Sequence, residues 1–390
     1  MIFSKLKYFF AASLALLCAT AFSVDFGGAV RNSTNFKGTS FSNIKIDQID
    51  DVNVWVKIPF TKSGNVYFTA EGLYEFEYDG HAETAYNRLD IDLFKLSASF
   101  QLKDNSLNIN AGRFIYADLT GLVFNQNADG TFVGFNTPYF GVSIYGAYTG
   151  LLNACLVSIL DNPLDPYTYD AKAPYDLAQK YAVGSATISF PAIAKTQNIS
   201  AQFFGAFKVS GTSYNRMYAT VSAGGPIYKT FYYNVFSSLG LQSYDGASID
   251  ISNMSRIRFV YYAPFKNLTF NLSALYASGS NGPFEAFRGF TKIAAYNAFN
   301  DLTAQHTGIF KGSLSASIKP LGSLLIYAGA DIIINAATSS IGYKGFQYNI
   351  GANWQIFSDL CAGLSMLQYI DKDDSNNDKV QFSLNASITF

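Results

Sequence analysis

Two histidines, His81 and His306, and three cysteines, Cys18, Cys155 and Cys361, are all that this sequence of 390 residues offers to imidazole or thiol chemistry. Neither histidine belongs to an HExxH pair, and the chain has no nucleophile elbow and no phosphate-cradling loop. The cysteines form no CxxC pair and no Cys/His cluster, which argues against a structural zinc site. The acidic run Asp371, Asp373, Asp374 and Asp378 lacks the glycine and the closing glutamate of a calcium loop, so it reads as a hydrated connection. Histidine is the side chain that most often moves protons in catalysis, and its scarcity points away from an enzyme. Nothing calls for a cofactor. What remains is a set of charges spaced two residues apart. Glu71, Glu75 and Glu77 keep phase with Thr69, and Arg256 and Arg258 alternate with Ile257 and Phe259. That spacing puts side chains on one face of a β-strand.

The elements that carry such rows are long alternating strands. From Lys379 to Phe390, Val380, Phe382, Leu384, Ala386, Ile388 and Phe390 point one way, while Lys379, Gln381, Ser383, Asn385, Ser387 and Thr389 point the other. Residues 346–356, 310–318, 268–276 and 94–102 repeat the pattern. A half-buried sheet in a soluble sandwich also alternates. These runs are longer than the 5–6 residues of a common soluble strand and match the roughly 9–11 of a tilted transmembrane strand. Their polar face is Ser, Asn, Gln, Thr and Gly rather than Lys and Glu, as suits a wet interior. Aromatic side chains cluster near strand ends, where interface girdles lie. The expected fold is all-β: a closed, antiparallel, up-and-down transmembrane barrel.

Composition agrees. Aromatic residues make up 16% of the chain and charged residues only 14%, an odd balance for a soluble enzyme. Residues 1–21 read as a signal peptide. Lys5 and Lys7 form its positive start, residues 8–18 its apolar stretch, and Ala19-Thr20-Ala21 its small-residue cleavage site. The apolar stretch is too short to span a bilayer as a helix. A lipoprotein leader at Cys18 is disfavoured by the bulky Leu17 before it. Removing Lys5 and Lys7 leaves 25 basic residues against 28 acidic, a net charge of −3. That excludes a strong nucleic-acid binder, which needs a basic patch.

Only helices and closed barrels satisfy every backbone polar group within lipid. Counting backward from Phe390, short turns fall near 356–358, 318–321, 264–267, 224–227, 191–196, 137–139, 102–106 and 61–65. Longer connections alternate with them at 371–377, 335–343, 279–306, 239–254, 150–180, 115–130, 79–88 and 34–52, with a short exception at 210–213. This asymmetry is that of outer-membrane barrels. The count is 18 strands within 22–390, with 16 as the nearest rival because 107–114 and 131–137 are weakly patterned. No plug domain precedes the barrel.

The terminal strand ending in Phe390 resembles the C-terminal assembly signature of bacterial outer-membrane proteins, which implies insertion by the barrel assembly machinery. The segment 111–130, AGRFIYADLTGLVFNQNADG, is similar to the strand-into-loop transition of porin-type channels, where a Gly-Arg pair ends a strand and the next loop folds inward. This resemblance implies a porin-like channel passing small hydrophilic solutes by diffusion, set in outer-membrane lipid, with a homotrimer as an open expectation. The candidate constriction is loop 115–130, where Asp118 projects toward Arg113 across the pore. Two alternatives stand beside it: Asp118 caps a surface turn, and strict alternation from Leu107, Ile109 and Ala111 puts Arg113 on the lipid side unless a bulge intervenes. Arg256, Arg258, Arg216 and Lys95 should face the lumen, opposite the row Glu71, Glu75 and Glu77. An arginine in mid-membrane facing lipid costs about 2–4 kcal/mol. The stretch 283–300 is a candidate loop helix in the vestibule or on the rim. A second functional class stays open: a surface adhesin or structural barrel acting through its outer loops. A transporter of hydrophobic compounds would need an apolar hatch, which the polar inner faces argue against.

Overall fold

In a computed structural model, the chain is described over residues 24–41, 43–157, 159, 170, 172–193, 196–211, 213–244, 249–279, 285–291, 307–336, 342–373 and 378–390. The proposed leader lies outside these residues, as do His306 and Asp374.

Eighteen strands form one antiparallel sheet that closes on itself. They are β1 Asp25–Gly38, β2 Ile44–Pro59, β3 Val66–Asp79, β4 Thr84–Leu102, β5 Asn105–Ala117, β6 Asn125–Asn136, β7 Gly141–Tyr148, β8 Tyr181–Ile193 and β9 Gln197–Lys208. There follow β10 Tyr214–Tyr228, β11 Phe231–Tyr244, β12 Asp250–Tyr262, β13 Thr269–Ala277, β14 Ile309–Leu321, β15 Leu324–Asn335, β16 Gly342–Gln355, β17 Leu360–Asp371 and β18 Lys379–Thr389. Each strand pairs with its sequence neighbours, and β1 closes the ring by pairing with both β2 and β18. The count of 18 holds against 16, because 107–114 and 131–137 do pair, as Asn108 with Gly134 and Ile109 with Val133.

The alternation is inverted relative to a soluble protein. Val52, Val54, Ile144, Val221, Leu272, Leu314, Ile350 and Leu364 are all exposed, whereas Asn35, Gln202, Thr220, Ser238, Gln347, Gln381 and Ser383 are buried. Apolar outside and polar inside is the pattern of a barrel in lipid. At the seam, the backbone of Phe390 exchanges two hydrogen bonds with Gly28. A Cβ at Gly28 would lie 2.5 Å from the Phe390 ring, so the glycine leaves room for the terminal phenyl.

The connections are shorter than the sequence pattern implies. Expected long loops at 34–52, 79–88 and 239–254 shrink to 39–43, 80–83 and 245–249, because strands continue past the apolar belt and alternation weakens there. Two long connections remain on that rim, 149–180 and 278–308. The first holds a short 3-10 turn, Ala154–Leu156. The helix proposed for 283–300 is not found in its described part: residues 285–291 are extended, with isolated bridges at Glu285 and Thr291.

Two ladders beside the β5–β6 hairpin stop short, and β6 pairs with β7 only as far as Asp129 and Tyr148. Pairing between β4 and β5 stops at Phe94 and Arg113, so residues 84–93 have β3 on one side and no strand on the other. Opposite Gly72, β4 carries two residues, Ile91 and Asp92, and this bulge shifts the inward set from Arg88 and Asp90 to Lys95 and Ser97. The open edge of β4 is met by loop 149–180. Leu89 donates its N–H to the Pro174 carbonyl at 2.9 Å and accepts from the Asn153 amide at 2.8 Å.

Candidate functional site

The end of the β5–β6 hairpin leaves the wall and crosses the barrel interior. Gly112 is where it turns, at φ 122°, a conformation open to glycine; a Cβ there would sit 2.0 Å from the Phe94 carbonyl oxygen. Beyond it, one face of the hairpin packs on the inner wall of β7 to β12. Tyr116 stacks on Tyr145 at 3.8 Å, and Phe124 stacks on Phe204 at 5.3 Å. Phe114, Leu122, Val123 and Ala128 join the same buried cluster with Tyr218, Phe236 and Met254. Polar anchors fix the register. Leu119 N–H donates to Gln202 Oε1 at 2.7 Å, and Gln202 Nε2 donates to Tyr116 and Thr187.

Asp118 caps the hairpin tip and does not face Arg113, which corrects the transverse pair expected between them. Its carboxylate accepts from the backbone of Thr120, Val123 and Phe124 and from the Thr120 hydroxyl, at 2.6–2.9 Å. Burial raises the Asp118 pKa above its ordinary value, and these hydrogen bonds oppose the rise. Its acidity belongs to the turn.

Arg113 keeps the strand parity that sequence alternation assigns, yet it is not on the lipid side. The hairpin has left the wall, so its outward face now looks across the interior toward β3 and β4. The Arg113 guanidinium forms a bidentate pair with Asp129 at 3.0 and 2.9 Å, reaches Asp90 at 3.3 Å, and donates to the carbonyls of Ile91 and Leu151. It thus ties the hairpin, the bulge of β4 and loop 149–180 together. Next to it is a cavity of about 410 Å³, with Glu71, Asp90 and Asp92 on the wall side and Ile115, Asn127 and Leu152 opposite.

The other charges divide into two groups. Glu75 pairs with Arg88 at 3.0 Å, Glu77 pairs with the same guanidinium, and Glu71 accepts from the Asn53 amide. Lys95 follows the bulge on the inner face of β4. Arg258 donates to Asn271 at 2.7 Å, and Arg256 lies over the Phe236 ring at 4.9 Å. Arg216 differs from these. It is fully buried beneath residues 285–291, stacked over Tyr214 at 4.1 Å and Phe290 at 4.6 Å, and donates to the Gly289 carbonyl. That segment also grips the hairpin tip: Phe290 and Thr291 N–H both donate to the Val123 carbonyl. The sequence placed Arg216 inward with the pore arginines, but a loop some 70 residues away covers it.

Arg88, Asp90 and Asp129 were missed at sequence level, and the stretch 283–300 was expected as a helix in the vestibule or on the rim, not as a strap bound to the hairpin tip. Arg88 and Asp90 do show the two-residue spacing that drew attention to Arg256 and Arg258. Outside the strands, burial pushes the Cys155 thiol up to about 11. Among the described residues no group of histidine, cysteine, aspartate or glutamate side chains is arranged to hold a metal ion.

Comparison with protein-family models and with curated proteins gives no match. Solved structures do match. Pseudomonas aeruginosa OpdK with vanillate aligns at a TM-score of 0.64 and 13% identity, over 94% of this chain and 98% of that one. Pseudomonas aeruginosa OccK2 (OpdF) aligns at 0.64 and 12%, with the same coverage. Pseudomonas aeruginosa OccK5 (OpdH) aligns at 0.63 and 13%, again over 94% and 98%. At such identities the likeness is one of fold, and it extends over nearly the whole of both chains: this chain has the closed 18-strand architecture of an outer-membrane porin.

Proposed function

We propose that this barrel is a passive channel for small hydrophilic solutes in a bacterial outer membrane, reached after removal of residues 1–21. The observation that carries the reading is the hairpin folded across the interior. It fills the β7–β12 side with aromatic packing, while the remaining wall turns polar and charged side chains such as Arg31, Asp51, Arg88 and Lys311 inward. A narrowed polar lumen sorts solutes by size and by fixed charge, without a cofactor or energy coupling. Arg113 with Asp90 and Asp129 borders the narrow part, and Glu71, Glu75, Lys95, Arg256 and Arg258 contribute the field around it. Insertion proceeds through the barrel assembly machinery, which engages the terminal strand ending in Phe390.

Structures of two of the similar channels were determined with vanillate and with glucuronate, so small organic anions are the first solutes to test here. The experiment is single-channel recording of the refolded chain without residues 1–21 in a planar bilayer. Stable open steps are expected, with added vanillate or glucuronate producing brief blockades. The double substitution Arg256→Glu with Arg258→Glu should move reversal potentials toward cation preference. A folded, inserted barrel that never conducts would end this reading.

A further inference from the structure

Many polar side chains of the inner wall are engaged with one another. Gln381 Nε2 and the Ser383 hydroxyl on β18 both donate to the Asn35 amide oxygen on β1, and Thr220 on β10 donates to Ser238 on β11. One step further toward the short-turn end, this pairing stops. Among the described residues, the side chains of Asn385 and Ser387 on β18, Asn353 on β16 and Lys319 near the end of β14 have no hydrogen-bond partner in the protein. Asn353, Asn385 and Lys319 are exposed to the lumen and Ser387 is half-buried. All four border one concavity of about 600 Å³.

Strand register explains its shape. One row across the ladders runs Asn353, Gly363, Asn385, Ser33, and the next runs Gln355, Cys361, Ser387, Arg31, Asp51. Gly363 therefore lies between two amides that stand two strand spacings apart, about 10 Å. A Cβ on Gly363 would come 2.6 Å from Asn353 Oδ1, so the glycine leaves a bed with an amide leaning over it. Arg31 and Asp51 pair at 3.3 Å along one side, and Lys319 stands on the other. The one aromatic residue at its border, Trp354, alternates with Asn353 and Gln355 and so points to the outer face.

We propose that this concavity is a station for a monosaccharide, held through its ring hydroxyls by Asn353, Asn385 and Ser387. Amides and hydroxyls offer donors and acceptors side by side, which is the pattern that neighbouring sugar hydroxyls offer in return. The charges of Arg31 and Asp51 offset each other, so the centre of the bed is neutral. An aromatic acid finds no ring to stack on here. The shared chemistry is the row of ring hydroxyls, so neutral glucose and the sugar acid glucuronate both bind, and the Lys319 ammonium favours the acid. The inference rests on the channel reading, because the station needs a water-filled lumen, and it adds a second class of solute to the small organic anions.

The test is saturation-transfer NMR on the refolded chain without residues 1–21, in a detergent that carries no sugar, with glucose as the probe. The wild type should transfer magnetisation to the glucose protons. Asn353→Leu with Asn385→Leu should weaken glucose binding by roughly two- to tenfold for each hydrogen bond removed. Lys319→Gln should weaken glucuronate and leave glucose unchanged. Asn234→Leu, at an inward amide on β11, should leave both unchanged. Heat-modifiable mobility on a gel confirms that each variant still folds. Absence of transfer to glucose in the wild type would overturn the proposal, and so would glucose binding that survives the double substitution intact. Transfer to glucuronate alone would overturn it too, since charge and not hydroxyls would then hold the solute. The measurement reads binding without conduction, so a barrel that conducts but ignores glucose refutes the station and leaves the channel standing.

Discussion

At the scale of single residues, Gly112 and Arg113 decide where the hairpin goes. Gly112→Ala puts a Cβ against the Phe94 carbonyl in a backbone region that side chains avoid, at about 1–3 kcal/mol. Urea unfolding should register that loss, and single-channel conductance should change as the hairpin shifts. Arg113→Gln leaves Asp90 and Asp129 without their shared cation; breaking a fully buried pair costs about 3–5 kcal/mol, and the loss here should be smaller because Asp129 is partly exposed. The double variant Arg113→Gln with Asp129→Asn should recover part of the loss. Cys155 gives a pH-dependent reading of loop 149–180. An ordinary thiol is roughly one-quarter ionised at pH 8, whereas one with a pKa of about 11 is ionised only on the order of one part in a thousand. Iodoacetamide should therefore alkylate Cys155 about two orders of magnitude more slowly than free cysteine at pH 8, with the rate still climbing at pH 10. Sequence alternation told correctly which side of its strand Arg113 occupies. It could not tell which side of the barrel that was, because parity is a property of a strand and the strand had left the wall.

At the scale of elements, the hairpin's own ladder runs unbroken to Ala117 and Asn125, and a strap ties its tip down. Phe290 and Thr291 bind Val123, and Arg216 holds Gly289 from below. Arg216→Gln removes the cation from its aromatic surroundings and loosens residues 285–291. The expected outcome is greater open-channel current noise at fixed voltage while outward-facing strands keep their hydrogen-exchange protection. A quiet channel of wild-type amplitude would show that Arg216 does not hold the strap. Strands were readable from sequence wherever lipid met one face and water the other. Residues 268–276 and 379–390 were found almost to the residue, against Thr269–Ala277 and Lys379–Thr389. The hairpin tip carries no such contrast, since both its faces meet protein or confined water. Leu122, Val123 and Phe124 in succession are all buried, which alternation cannot express.

At the scale of the whole molecule, closure is a matter of space at the seam. Gly28→Val would drive a branched side chain into the Phe390 ring and the Asn53 carbonyl. Refolded material should then show a smaller fraction of the compact, heat-modifiable band than wild type. The even strand count, the antiparallel order and the closed form all followed from period-2 patterning and the demand that lipid-facing backbone be paired. The packing of the hairpin against one side of the lumen did not. It depends on contacts between segments far apart in the chain, such as Arg216 with Gly289 and Arg113 with Leu151.

The half-length ladder between β4 and β5 has a mechanical consequence. Adjoining strands share load through rows of backbone hydrogen bonds, and these rows are cut short on both sides of the hairpin. Above Phe94 and Arg113 the load passes through a guanidinium and a few bonds to loop 149–180. Membrane tension, or a force probe pulling on the outer rim, should therefore tear the cylinder along this line first. The rip starts at the rim and stops where the full ladder begins, as a perforation stops at intact cloth.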